Sequence, residues 1–190
     1  MFRYIVKATS FFYKLYATKF SKNSFGVNNK FQGVSAIDNT PNIRIGNNNV
    51  FCSSSYFTAL GVSKKIKFTL CNPEAKIVIG HYNGFSGTTI CAAVSVEIGS
   101  NCLFGADVMI FDTDFHPICP TNRRFEKSGI MNSPVKIGNN VFLGTQTIVM
   151  KGVAIGDNTV IGAGSVVTKS IPKNSIAAGN PCRVIGQVDE

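Results

Sequence analysis

Residues 111–118 read FDTDFHPI and hold one of only two histidines in a chain of 190 residues. His116 follows Asp112 and Asp114 and precedes Pro117. A neutral imidazole, with an unperturbed pKa of about 6.5, suits general-base catalysis on a weak nucleophile such as a hydroxyl. A neighbouring carboxylate would hold the productive tautomer and raise the basicity of the ring. The spacing leaves both Asp112 and Asp114 open for that part. The other histidine, His81, precedes Tyr82, Asn83 and Gly84. It reads as a structural or surface residue, with a substrate contact as the alternative. Two histidines are too few for a three-histidine zinc site. The six cysteines (Cys52, Cys71, Cys91, Cys102, Cys119 and Cys182) form no CxxC pair. They read as buried, reduced thiols, and no metal is expected.

A base must be held by a scaffold, and a six-residue repeat supplies it. The C-terminal half divides into IGNNVF, LGTQTI, VMKGVA, IGDNTV, IGAGSV and VTKSIP. The blocks start at Ile137, Leu143, Val149, Ile155, Ile161 and Val167, all aliphatic. Glycine follows at Gly138, Gly144, Gly156 and Gly162, and reads as a residue that eases a corner. The fifth position is small or β-branched: Val141, Thr147, Val153, Thr159, Ser165 and Ile171. The same phase recurs at Ile45 and Phe51 and at Ile98 and Phe104. From Ile79 the count of sixes reaches Ile98 one residue late, which predicts a bulge or slipped corner. Six residues are too few for a helical repeat but make one strand and one turn, three to a triangular coil. The expected fold is an all-β parallel β-helix with first-position side chains stacked inside as ladders, coil on coil. The phase stops at Ile110 and resumes at Ile137, so residues 111–136, with Pro117, Pro120 and Pro134, form an excursion loop. Long loops on rigid scaffolds commonly carry function.

The hexads resemble those of the hexapeptide-repeat acyltransferases, whose coils are left-handed. The ending, IGDNTVIGAGSVVTKSIPKNSIAAGNPCRVIG, is similar to the closing segment of the maltose/galactoside O-acetyltransferase branch. The stretch NGFSGTTI to FDTDFHPI more closely resembles enzymes that O-acetylate bacterial surface polysaccharides. The resemblance covers roughly residues 40–186. It implies acetyl-CoA as acyl donor, a sugar hydroxyl as acceptor and His116 as the base. By position it also implies that Thr145 lies beside the thioester, offering its N–H to the oxyanion. Ala163, Thr168 and Lys169 would line the cofactor, and Arg183 would bind its phosphates. The family's asparagine upstream of the histidine loop has no clear counterpart here, so Asn83 or Ser86 is expected to contact the acceptor. A homotrimer with sites between subunits is expected. A xenobiotic (antibiotic) O-acetyltransferase and a non-catalytic β-helix binding module are the alternatives.

Composition bounds the rest. The chain is 44% hydrophobic and only 15% charged, which excludes disorder. Its formal net charge is +9. Six of the basic residues fall in the first 30 positions, and the first acid is Asp38. No nucleic-acid motif accompanies this charge. Residues 1–25 read as an amphipathic helix or cap with Ile5, Phe12, Tyr16 and Phe20 near one face and Arg3, Lys7 and Lys14 on another. Such a helix either caps the fold or also touches an anionic membrane. Residues 26–190 form the β-helix domain, closing in a cofactor-binding segment, 167–186. The expected location is cytoplasmic, with peripheral membrane contact as an option.

Overall fold

The structure, a computed structural model, describes residues 2–19, 21–121 and 123–189. Each predicted hexad start in the C-terminal half is the last residue of a short strand, as in Val135–Ile137, Phe142–Leu143 and Ile148–Val149. The strands sort into three parallel sheets, here faces A, B and C. Six successive coils each contribute one strand to every face, from Ser24–Phe25, Lys30–Gln32 and Ala36–Ile37 to Ala154–Ile155, Val160–Ile161 and Val166–Val167. Face B continues with Ser175–Gly179 and ends in an antiparallel strand, Cys182–Gln187.

The ladders fill the interior. On face A, Ile45, Ile79, Ile98, Ile137 and Ile155 lie in register and all are buried. On face C the column is Ile37, Phe68, Ile90, Ile110, Val149 and Val167. Face B stacks Phe31, Phe51, Phe85 and Phe104 before narrowing to Leu143, Ile161 and Ala177. Successive rings lie 5.1, 5.3 and 4.5 Å apart and within 17° of parallel. The coil spacing of about 4.8 Å dictates this stacking, since in-register side chains share one rotamer. The fifth-position residues are all buried as well.

One detail differs from the sequence reading, and one follows it. The hexad glycines do not adopt left-handed turn conformations; at the A/B edge those are taken by Asn48, Asn101, Asn140, Asn158 and others. The glycines allow close approach instead: a Cβ on Gly144 would lie 2.5 Å from the Ala163 nitrogen of the next coil. The slipped corner expected before Ile98 is resolved as one short step and one long step that together add one residue. Five residues separate Phe85 from Ile90 and eight separate Ile90 from Ile98, with a register shift opposite Gly105.

The N-terminal helix, Phe2–Lys19, caps the first coil. Its packed face is Val6, Ser10, Tyr13 and Ala17, with Tyr13 edge-on to Phe31 at 5.2 Å. Ser10 Oγ accepts a hydrogen bond from the Gly33 N–H at 2.8 Å. The face that the sequence marks as apolar, with Ile5, Phe12 and Tyr16, is not the packed one and is exposed. Phe20 and the Arg3 side chain lie outside the described residues.

Two excursions leave the prism. One, residues 112–134, leaves the C/A edge between coils four and five, as expected. The other, residues 53–65, leaves the B/C edge of coil two and contains a turn of 3₁₀-helix, Ser55–Phe57. Sequence reasoning did not identify it.

Candidate functional site

The excursion carrying His116 is anchored at its base. Thr113 bridges Asn132 in antiparallel fashion. The Asp114 N–H donates to the Met131 carbonyl at 3.0 Å, and the Ser133 N–H to the Asp112 carbonyl at 2.8 Å. Phe115 then takes a left-handed conformation, φ 61°, and the His116 N–H turns back onto the Asp114 carbonyl at 2.7 Å. A bulky residue rarely adopts this conformation, so the neck and the buried Pro117 must hold the turn. The turn projects the His116 side chain into solvent, and within the described residues no hydrogen bond reaches its ring.

The two aspartates differ. Asp112 is buried, and its oxygens accept from the N–H groups of Ala93 and Val94 at 2.5 and 2.7 Å. It ties the wide C/A corner of coil three to the loop base; the structure does not bring its carboxylate to the imidazole. Asp114 forms an ion pair with Lys151 at 3.0 Å, and its Oδ2 is buried with no hydrogen-bond partner. Asp114 is therefore the acid with an acceptor oxygen to spare beside the His116 turn. Lys151 escaped the sequence reading, although the hexad count puts Lys151 and Gly152 at the corner directly after the loop.

A second set of candidates lies on the B/C edge. Thr145 and Ala163 occupy the same corner of coils five and six. Neither N–H has an acceptor among the described residues. The adjoining amides are bonded: Gln146 N–H to Ala106 O and Gly164 N–H to Thr145 O, both at 2.8 Å. Amides left without an acceptor at a corner are candidate oxyanion donors. Beside Thr145 runs a groove of about 390 Å³, walled by Leu60, Val62 and Ser63 of the residue 53–65 excursion and by Asp107 and Gln146. The Asp107 carboxylate fastens this wall by accepting from the Ser63 N–H at 3.1 Å. Arg183 pairs with Ala178 at the same edge and is exposed, one Nη donating to the Cys182 carbonyl at 2.8 Å. Thr168 and Lys169 are exposed on the C/A edge, one coil beyond Lys151.

The predicted site residues thus fall into two half-sites: His116, Asp114, Thr168 and Lys169 on the C/A edge, and Thr145, Ala163 and Arg183 on the B/C edge. Face C separates them. Ser86 is partly exposed on face B, beneath the residue 53–65 excursion.

Asn83 is a correction. It is 1% exposed and lies inside the A/B edge. Its Nδ2 donates to Gly99 O at 3.0 Å, its Oδ1 accepts from Cys102 N–H at 2.8 Å, and its own N–H donates to Asn49 Oδ1 at 2.9 Å. It belongs to an internal column with Asn29 and Asn49, and an acceptor cannot reach it.

The cysteines also depart from expectation. Cys52, Cys102 and Cys182 are buried, but Cys71 and Cys119 are exposed. Cys71 and Cys91 sulfurs lie 3.1 Å apart, and burial together with Cys71 pushes the Cys91 thiol up to about 12. Among the described residues no three His, Cys, Asp or Glu side chains gather as a metal site would require.

Known proteins carry the same repeat. Residues 134–169 match the model of the bacterial transferase hexapeptide (six repeats), and residues 95–110 that of the hexapeptide repeat of succinyl-transferase. Galactoside O-acetyltransferase of Escherichia coli (strain K12) is 47% identical over 103 residues, covering 54% of this chain and 49% of that protein. The Lactococcus lactis galactoside O-acetyltransferase is 41% identical over 111 residues, covering 58% and 52%. The chain spans about half the length of these curated relatives. Among solved structures, a maltose O-acetyltransferase from Clostridium difficile 630 is 31% identical, with a TM-score of 0.55 over 98% of this chain and 89% of that one. A galactoside acetyltransferase in complex with coenzyme A is 32% identical, with a TM-score of 0.57, covering 87% and 65%. The shared architecture is the left-handed parallel β-helix of hexapeptide repeats.

Proposed function

Because this chain belongs to the hexapeptide-repeat acetyltransferase family, we propose that it transfers an acetyl group from acetyl-CoA to a sugar hydroxyl, in the assembly of a bacterial surface polysaccharide. The galactoside and maltose O-acetyltransferase relatives support the sugar acceptor, and the coenzyme A-bound structure supports the donor.

In this reading His116 removes the hydroxyl proton as the oxygen attacks the thioester carbonyl. The Thr145 N–H stabilises the resulting oxyanion. Collapse breaks the C–S bond, and the imidazolium returns its proton to the departing CoA sulfur. Asp114, through its unpartnered oxygen, orients the imidazole once substrate orders the ring. Ala163, Thr168 and Lys169 line the donor, and Arg183 and Lys169 face its phosphates as exposed cations.

The observation that carries the proposal is the division of these residues between the two edges that bound face C. A base and an oxyanion donor must each lie within about 3 Å of the reacting atoms. A hexad of strand and corner spans roughly 20 Å at about 3.3 Å per residue, so one chain does not bring them together. Three chains with face C turned toward a threefold axis would set the C/A edge of each against the B/C edge of the next. The outward side chains of face C suit that packing. Thr69, Thr89, Met109, Ile148 and Val166 are uncharged and only partly exposed; Lys67 at one end is the exception. The proposal is therefore a homotrimer with three shared sites.

A cytoplasmic location fits a donor made inside the cell and six cysteines without a disulfide. No helix among the described residues is long and apolar enough to cross a membrane.

The test is acetyl transfer across an acceptor panel of galactosides, maltose, acidic saccharides and hydroxyl-bearing antibiotics. Release of free CoA is followed with a thiol reagent, and the product mass confirms transfer. Saccharide-dependent release supports the proposal. Turnover confined to antibiotics would reassign the acceptor, and no turnover with any hydroxyl would defeat the enzymatic reading.

A further inference from the structure

The N-terminal helix presents a face that capping does not explain. At about 100° per residue, its packed side chains Val6, Ser10, Tyr13 and Ala17 occupy one narrow stripe. A helix with one buried stripe ordinarily turns charged and polar residues outward. Here the outward arc, about 140° wide, is formed by Tyr4, Ile5, Phe11, Phe12, Leu15 and Tyr16. Tyr4 is 77% exposed, Phe11 64% and Phe12 67%. Among the residues whose side chains are described, no charged one interrupts the arc between Tyr4 and Tyr16. Lys7 and Lys14 project from one border, between the packed stripe and the aromatic arc. Lys22 and Lys30 follow in the sequence, and no acid precedes Asp38.

We propose that this face docks on an anionic lipid bilayer, with the helix lying in the plane of the interface. Aromatic and aliphatic side chains would enter the boundary between headgroups and acyl chains, and the bordering lysines would reach the lipid phosphates. The charge pattern selects this partner. Lys7 and Lys14 border the face, and the first 30 residues add four more basic residues with no acid before Asp38, a balance complementary to an anionic membrane. Such a face would repel a second copy of itself. The helix is held to the prism through the opposite side, so docking would not require it to unfold from the first coil. The proposal stands apart from the catalytic reading, because none of these residues belongs to either half-site.

The chain contains no tryptophan, so Phe12→Trp introduces a single reporter. The full-length protein is mixed with vesicles of phosphatidylcholine alone and of phosphatidylcholine with phosphatidylglycerol. The expected result is sedimentation with anionic vesicles at least about tenfold stronger than with neutral ones, weakened by salt. The indole emission should shift to the blue only when anionic vesicles are present. Phe11→Ser with Phe12→Ser should reduce partitioning about tenfold, and Lys7→Glu about fivefold. Both variants should keep the parent melting temperature and the parent rate on a soluble acceptor, since the packed stripe and the half-sites are untouched. Absence of vesicle binding, or equal binding to neutral vesicles, would overturn the proposal. So would an emission already blue-shifted without lipid, or a serine variant that dissociates an assembly, because either means that protein covers the face.

Discussion

The ion pair beneath the His116 turn invites a double-mutant cycle. Lys151 Nζ and Asp114 Oδ1 lie 3.0 Å apart, with side chains only 27% and 17% exposed. At an effective dielectric constant of about 20, the attraction is roughly 5 kcal/mol. Desolvation and ordering offset most of it, leaving a coupling of about 1–3 kcal/mol. The other Asp114 oxygen is buried without a partner, so removing Lys151 leaves the carboxylate uncompensated. Asp114 opens the tight turn that carries His116, and the disturbance should appear there before it appears in the fold. Lys151→Met is expected to lower kcat about 5- to 100-fold, with the KM for acetyl-CoA within about twofold. Asp114→Asn should act similarly, and the double variant should be little worse than the poorer single one. Lys151→Arg should recover part of the loss. Steady-state acetyl transfer gives the cycle, and amide hydrogen exchange over residues 112–118 reports the turn. Additive losses, or wild-type kcat in Lys151→Met, would refute the assignment of Asp114 as a positioning residue.

Other outcomes follow from the same residues. His116→Ala should lower kcat by about 10²–10⁴ with an unchanged circular dichroism spectrum, and a variant keeping half the activity would remove His116 from the mechanism. Asn83→Ala strips partners from the Gly99 carbonyl and the Cys102 N–H inside the prism. It should cost about 2–4 kcal/mol in denaturant unfolding while sparing the KM for the acceptor. Burial, with a smaller contribution from Tyr16, pushes the Tyr13 phenol up to about 12. The folded state therefore prefers the neutral phenol, so this contribution is complete below about pH 10 and is lost as pH rises from about 10 to 12. After allowance for partial exposure the loss should be about 1–2 kcal/mol, seen as a steeper alkaline fall in melting temperature that Tyr13→Phe flattens.

Where the chain repeats, its structure could be read directly. A residue's place in the hexad fixes whether it points inward, because strand alternation and corner position repeat from coil to coil. The same rule accounts for Asn83. It is the fifth residue of the block that begins at Ile79, an interior position, and Asn29 and Asn49 likewise stand two residues before Phe31 and Phe51. The hexad place alone marks Asn83 as interior, whereas its polarity suggests a ligand. The excursion at 112–134 announced itself through three prolines and a lost period. The one at 53–65 contains no proline and lies in a stretch where the count of sixes is already unclear, so its ends could not be set. The helix failed differently. Aromatic side chains stand on more than one side of it, and contacts with Phe31 and Gly33 select which stripe is buried. Lys151 could not be paired with Asp114 from the sequence, since the pairing depends on a 23-residue excursion returning to the same edge.

The account rests on a site completed by two chains, and mixing two disabled variants tests it most directly. His116→Ala removes the proposed base from the C/A edge, and Arg183→Ala the proposed phosphate contact from the B/C edge. Each homotrimer should be nearly inactive. Subunits mixed in equal amounts, dissociated and reassembled at random should place an intact His116 against a neighbour's intact Arg183 at about one site in four. The predicted result is recovery of about a quarter of the wild-type acetyl-transfer rate under conditions that reveal the Arg183 defect. A mixed assembly as inactive as its parents, confirmed as mixed by native mass spectrometry, would contradict the shared site.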